Sequence, residues 1–164
     1  MSKALERVKN KIFNKNNLLE KLEMWRGAKK KIVFTNGCFD LIHLGHIEVL
    51  ARSADLGDIL IIGVNTDSSI KELKGNNRPI IEEDSRAQQL ASLEFVDAVI
   101  LFNEQTPLEL IKVIKPNVIT KGGDYNSEQV VGNEIAVKNE GEVIIIPLTQ
   151  GYSTTSILDK IKND

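Results

Sequence analysis

The sequence predicts an α/β fold: a doubly wound parallel sheet of five strands behind an N-terminal helical extension. Three observations carry that expectation. Five apolar runs, at residues 32–34, 59–64, 98–102, 118–119 and 143–146, are short, rich in β-branched side chains and nearly continuous. Strands covered on both faces have that composition, because neither side of the pleat meets water. Helical periodicity fills the gaps between the runs, and strands alternating with crossover helices build a parallel sheet.

The elements follow in order. Residues 1–31 hold ten Lys and Arg against three Glu, whereas 32–164 hold eleven against twenty Asp and Glu. The net charge of −2 therefore conceals a basic arm on an acidic body. A basic arm can serve nucleic acid or a membrane surface. Here Leu5, Val8 and Ile12, then Leu18, Leu22 and Trp25, recur at helical spacing, so the arm reads as two amphipathic helices with a solvated lysine face. Their apolar side is expected to pack on the core or on a second subunit, and a homodimer is expected, with no nucleic-acid or membrane partner. The domain reading is a helical extension over 1–30 and one α/β domain over 31–164. Helices are expected at about 44–56, 84–95, 107–114, 127–139 and 154–161. Thr106 before Pro107, with Glu109 three residues after the threonine, reads as an N-cap with proline at the first helical position.

Composition narrows the class. Hydrophobic residues at 41% and charged residues at 27% suit a globular chain and exclude a wholly disordered one. Cys38 is the sole cysteine, which rules out an internal disulfide framework and fits a reducing compartment. No apolar run approaches the roughly 20 residues a bilayer requires, and the N-terminal stretch has no uninterrupted apolar core of a leader. A cytoplasmic protein is expected.

In doubly wound sheets, ligands bind beyond the carboxyl ends of the strands, where strand order reverses. Polar and glycine-containing segments directly follow four of the five runs: Thr35-Asn36-Gly37, Asn65-Thr66-Asp67, Lys121-Gly122-Gly123-Asp124-Tyr125 and Gly151-Tyr152-Ser153-Thr154-Thr155-Ser156. The third strand end, Asn103-Glu104-Gln105, is less telling. Within the stretch from Phe34 to His46, His43 and His46 are the only histidines of the chain. Three residues apart at the mouth of a helix, they stack on one face of its first turn. Gly45 between them omits a side chain and lets a ligand approach. The helix N-terminus adds free N–H groups and the positive end of the dipole. Two imidazoles there can donate to a phosphoryl group and stabilise the charge that builds on it. A zinc site would need further Cys or His ligands. Cys38 reads as a small buried residue more readily than as a nucleophile. There is neither a Walker A sequence nor a G-x-G-x-x-G fingerprint, so a P-loop ATPase and a dinucleotide dehydrogenase are unsupported.

The run from Gly37 to His46, with its His43-Leu-Gly-His46, resembles the HxGH signature of the nucleotidyltransferase superfamily that includes the cytidylyltransferases and pantetheine-phosphate adenylyltransferase. The details look closest to its bacterial heptose 1-phosphate adenylyltransferase branch. Thr35–Asp40, Gly63–Asp67, Leu73–Pro79, Lys121–Tyr125 and Ser153–Ser156 carry the likeness, in order and over nearly the whole chain. One departure stands out: the superfamily's second motif usually ends in arginine, and here Leu158 occupies that position. The missing cation would have to come from Lys160, Lys121 or Lys74.

The resemblance implies a Rossmann-like fold and transfer of AMP from ATP to a sugar 1-phosphate, with release of pyrophosphate. It implies that His43, His46 and Lys74 are catalytic. For ATP it implies Thr35, Asn36, Gly37, Cys38 and Phe39 after the first strand, Gly45 and His46 on the helix, and Lys121, Gly122 and Asp124 after the fourth. Ser153, Thr154, Thr155 and Ser156 would hold the outer phosphates. Asp40, Asn65, Asp67, Lys74 and Arg78 would face the acceptor, the last two on a flexible cationic loop. Mg²⁺ is expected to arrive with ATP, with no metal held by the protein alone. A sugar phosphate is already ionised at pH 7, so no general base is assigned. The alternatives are a cytidylyltransferase acting on glycerol 3-phosphate or a similar alcohol phosphate, and a nucleotide-binding regulatory module without turnover. Class I aminoacyl-tRNA synthetases share the HxGH turn, but a chain of this length and acidity does not suit them.

Overall fold

Six parallel strands, not five, form the sheet in the computed structural model, which describes residues 2–149 and 151–163. Met1, Gln150 and Asp164, which the expected domain spans include, lie outside the described residues. The strands are β1 (Ile12–Phe13), β2 (Ile32–Gly37), β3 (Ile59–Asn65), β4 (Ala98–Phe102), β5 (Val118–Gly122) and β6 (Glu142–Ile146), in the order β1-β4-β3-β2-β5-β6. The helices are α1 (Lys3–Lys9), α2 (Lys15–Gly27), α3 (Leu44–Ala54), α4 (Asp67–Lys74), α5 (Glu83–Ala91), α6 (Leu108–Ile114), α7 (Asn133–Lys138) and α8 (Thr154–Asn163).

The extra strand comes from the basic arm. Ile12 and Phe13 pair with Val99 and Ile100 at the sheet edge. Two residues are too few to display a period of two, and Ile12 falls four residues after Val8, so the sequence reads as helix where the sheet claims it. The arm's second helix packs inward: Leu18 and Leu22 are fully buried, each contributing roughly 1.5–3 kcal/mol. Trp25 meets Phe13 edge-on at 6.4 Å.

Alternate residues of the central strands feed two cores, as the pleat requires. Phe34, Ile61 and Ile119 face Leu18, Leu22, Ile111 and Ala136, from α2, α6 and α7. Val33, Leu60, Ile62 and Val118 face Leu50, Ala87 and Leu90, from α3 and α5. Strand order reverses between β2 and β5. There the ladder is short: β2 and β3 share six residue pairs, but β2 and β5 share two, Val33 with Val118 and Phe34 with Ile119. Beyond them the two strands part and a crevice opens at their carboxyl ends.

Three helical expectations are corrected. Asp67–Lys74 is helix rather than loop, capped by Thr66, whose hydroxyl accepts from the Ser69 amide. The expected helix over 127–139 breaks into a 3₁₀ turn (Ser127–Gln129) and α7, with Gly132 at φ +91° between them. The helix after β4 starts at Leu108, and the Pro107 carbonyl, not Thr106, receives its first bond, from Ile111 N–H at 2.9 Å. No helix among the described residues is long and apolar enough to cross a membrane.

Candidate active site

The crevice at the strand reversal is a cavity of about 670 Å³. Its floor is the end of β2 and the turn after it, Thr35 to Phe39, with Lys121 and Gly122 of β5 alongside. Thr35 is buried, and its hydroxyl donates to the Thr120 carbonyl at 3.1 Å, so a side chain bridges the strands where the ladder ends. The Thr120 hydroxyl in turn pairs with Ser53 of α3 at 2.8 Å.

His43 is the N-cap residue of α3 and His46 lies in its first turn. Their rings stack with centroids 3.9 Å apart and 25° between planes. Gly45 makes this possible in a way that spacing alone does not suggest. A Cβ there would lie 3.1 Å from His43 Nδ1 and 3.4 Å from Tyr152 Cβ, so the missing side chain makes room for the histidine ring and the opposite wall as well as for a ligand. Phe39, held at φ +47°, sets its ring 5.4 Å from that of His46. A bulky residue in the left-handed region is uncommon, and such strain persists only where the surroundings impose it.

Both imidazoles leave Nδ1 buried without a hydrogen-bond partner among the described residues. Burial lowers the pKa of His43. It pushes His46 down from 6.5 to about 4, aided by the charges of His43 and Lys74. Both rings are therefore neutral at pH 7, each with one N–H to donate. Burial also lowers the pKa of Lys121. The opposite wall is the turn before α8, where Ser153, Thr154 and Thr155 line the cavity. Ser153 and Ser156 cap each other: the Ser156 amide donates to Ser153 Oγ at 3.0 Å and the Ser153 amide to Ser156 Oγ at 3.2 Å.

The structure thus brings Thr35, Asn36, Gly37, Cys38, Phe39, His43, Gly45, His46, Asn65, Lys74, Lys121, Gly122, Ser153, Thr154 and Thr155 around one cavity. Asp40, Asp67, Arg78, Asp124 and Ser156 are not among its walls. Two of these carboxylates are taken. Asp40, with 2% of its side chain exposed, accepts from Arg78 Nε at 2.6 Å and from the amides of Ile80 and Ile81 at 2.8 and 2.9 Å. Asp67 accepts from Arg86 at 2.7 Å. Asp124 is exposed, and Ser156 serves the cap. Of the three candidate replacements for the cation at Leu158, Lys74 and Lys121 line the cavity, whereas Lys160 is exposed and does not.

Sequence reasoning missed Arg86, which is wholly buried. Its neighbourhood, Glu82-Glu83-Asp84-Ser85-Arg86, reads as a solvated helix start, and nothing local marks the arginine as an inward one. It also missed part of the apolar rim, where Val131 and Leu148 are exposed yet line the cavity. Among the described residues, no three His, Cys, Asp or Glu side chains converge as metal ligands.

A parallel sheet with its crevice at the strand reversal, and stacked histidines at a helix mouth, define a nucleotide-binding α/β enzyme class. Residues 34–160 match the cytidylyltransferase-like family, and the chain belongs to it. It is 50% identical over 153 residues to the bifunctional protein HldE of a Nitratiruptor species, and 45% identical over 153 residues to that of a Bradyrhizobium species. Both matches cover 93% of this chain, which spans 32% and 31% of those relatives, about a third of their length. The lipopolysaccharide core biosynthesis protein from Thermoplasma volcanium shares the fold with a TM-score of 0.60 and 31% identity, over 76% of this chain and 99% of its own.

Proposed function

We propose that the chain transfers AMP from ATP to D-glycero-β-D-manno-heptose 1-phosphate, giving ADP-heptose and pyrophosphate. The observation that carries the reading is the stacked pair His43 and His46, neutral, buried at Nδ1 and facing a cavity whose other wall is a helix N-terminus rich in hydroxyls. Such a pair donates N–H groups to α-phosphate oxygens as charge grows on them in the transition state. Ser153, Thr154 and Thr155 hold the β- and γ-phosphates through hydroxyls and helix amides. Lys121 and Lys74 supply positive charge on either side, Lys74 toward the acceptor. The acceptor phosphate oxygen attacks the α-phosphorus and the bond to the β-phosphate oxygen breaks, so pyrophosphate leaves with the electron pair. Positioning and charge neutralisation suffice for such a transfer.

Asp40 accepts from Arg78 and Asp67 from Arg86. Mg²⁺ would travel on the triphosphate oxygens. The reading includes a cytoplasmic location and a homodimer, with the first thirty residues as an extension of the catalytic domain. The test is pyrophosphate release from ATP, CTP, GTP and UTP, each crossed with sugar 1-phosphates and polyol phosphates. ATP with the heptose 1-phosphate is expected to lead. CTP with glycerol 3-phosphate in the lead would replace the reading with cytidylyl transfer, and nucleotide binding without release from any pair would leave a regulatory module.

A further inference from the structure

We propose that Arg86 is a positioning residue that couples the phosphate-side turn after β2 to the helix that presents Lys74, for the transfer reaction proposed above, on which this inference rests. The Arg86 side chain is 0% exposed, and its donors reach two segments distant in sequence and the strap that leads into its own helix. Nη1 donates to the Cys38 carbonyl at 2.6 Å, Nη2 to Asp67 Oδ1 at 2.7 Å and Nε to the Ile81 carbonyl at 2.9 Å.

Each segment leads to the cavity. Cys38 lines it directly. Asp67 is the first residue of α4 and Lys74, on the cavity wall, is the last. Ile81 belongs to the strap from Gly75 to Glu82, whose Arg78, Ile80 and Ile81 are bound by Asp40, two residues after Cys38. A further tie runs from the Asp67 amide to Glu83 Oε2 at 2.6 Å, so the start of α4 is held to α5 twice.

The choice of arginine is informative. A buried ion pair contributes little net stability compared with an apolar side chain of the same volume. A planar fork of five donors, however, fixes the relative positions of several acceptors at once, which a lysine ammonium does not. A guanidinium stripped of water is costly unless its partners are in place. The turn, the helix start and the strap therefore settle together or not at all. The acceptor-side lysine and the phosphate cradle share one anchor, lying behind both.

The experiment compares Arg86→Lys, Asp67→Asn and the double variant with the wild-type chain in three measurements: thermal midpoint, pyrophosphate release with ATP and heptose 1-phosphate, and hydrogen exchange of residues 67–74 with and without ATP. Displacing a reacting group by about 1 Å costs roughly a hundredfold, so Arg86→Lys is expected to lower turnover per folded molecule about a hundredfold. Asp67→Asn keeps an acceptor but loses the charge. It should lower kcat/KM for the sugar phosphate about tenfold while ATP affinity holds, and the double variant should be no worse than Arg86→Lys alone, because both break one tie. ATP should slow exchange at residues 67–74 in the wild type and not in Asp67→Asn. Wild-type kinetics per folded molecule with only a lowered midpoint would overturn the proposal, as would equal ATP protection of α4 in both proteins. If Arg86→Lys does not fold, Asp67→Asn decides alone. A wild-type chain that releases no pyrophosphate would sink the reaction instead, and the exchange experiment would still decide the coupling.

Discussion

Two turns face each other across the cavity and are built on opposite principles. The turn after β2 is held from a distance: Arg86 takes the Cys38 carbonyl, Asp40 binds three donors from 38 to 41 residues away, and Thr35 reaches across to β5. The turn before α8 is held by itself, through the reciprocal cap of Ser153 and Ser156, and its Ser153 and Thr155 are exposed. Among the described residues, Thr154 Oγ1 crosses between them and donates to the Leu41 carbonyl at 3.5 Å. A second tie is the hydrogen bond from Thr149 to Glu48 of α3. The contrast amounts to a division of labour. Tertiary anchoring holds the strained backbone on the wall that the proposed reaction assigns to the α-phosphate, and a local cap holds the wall it assigns to the departing pyrophosphate.

Breaking the distant anchors should cost most. Asp40→Ala leaves Arg78 Nε and two amides without their acceptor, and is expected to lower unfolding free energy by about 4 kcal/mol, read from urea denaturation. A loss within experimental error would mean that water replaces the carboxylate and that the turn is not held as described. Next come the histidines themselves. His43→Ala and His46→Ala should each cut kcat by about a hundredfold or more, roughly 3 kcal/mol of transition-state stabilisation, with circular dichroism unchanged. Wild-type turnover in either variant would place the chemistry elsewhere.

On the self-contained side the expected effects are smaller. Ser153→Ala removes one cap and should cost about 1 kcal/mol, appearing as a higher KM for ATP with little change in kcat. A collapse of kcat here would erase the distinction between the two turns. The subtlest test is pH. His46 has its pKa lowered from 6.5 to about 4 in the folded chain, so between those values the unfolded chain binds more protons. Stability without nucleotide should then rise with pH across that window and be lost as pH falls through it. His46→Gln should flatten the slope between pH 6.5 and 4, and an unchanged slope would mean that other groups set it.

Much of this architecture is legible along the chain. The five long strands announce themselves because strands covered on both faces have no polar side to interrupt them, and the two histidines because helical spacing alone puts i and i+3 on one face. Helix α4 carries its own signals, although its span reads at first as loop: Thr66 as cap, Asp67 in the first turn, Lys71 and Lys74 in the last and Gly75 beyond it form a complete start and stop. Strand β1 is not legible, because its two residues become strand only through β4. Arg86 is not legible either, since an arginine in a helix surrounded by acidic residues looks solvated until the turn after β2 and the start of α4, both distant in sequence, close over it.

Order along the chain is enough to specify five of the six strands, the helix mouth with its two imidazoles and the hydroxyl cap that faces them, because each shows in a periodicity or a bond that spans a few residues. What Asp40, Asp67 and Arg78 do is settled by the assembled fold alone. A carboxylate binds whichever cation or amide the fold brings within about 3 Å once water is excluded, and those partners come from helices and loops many residues away.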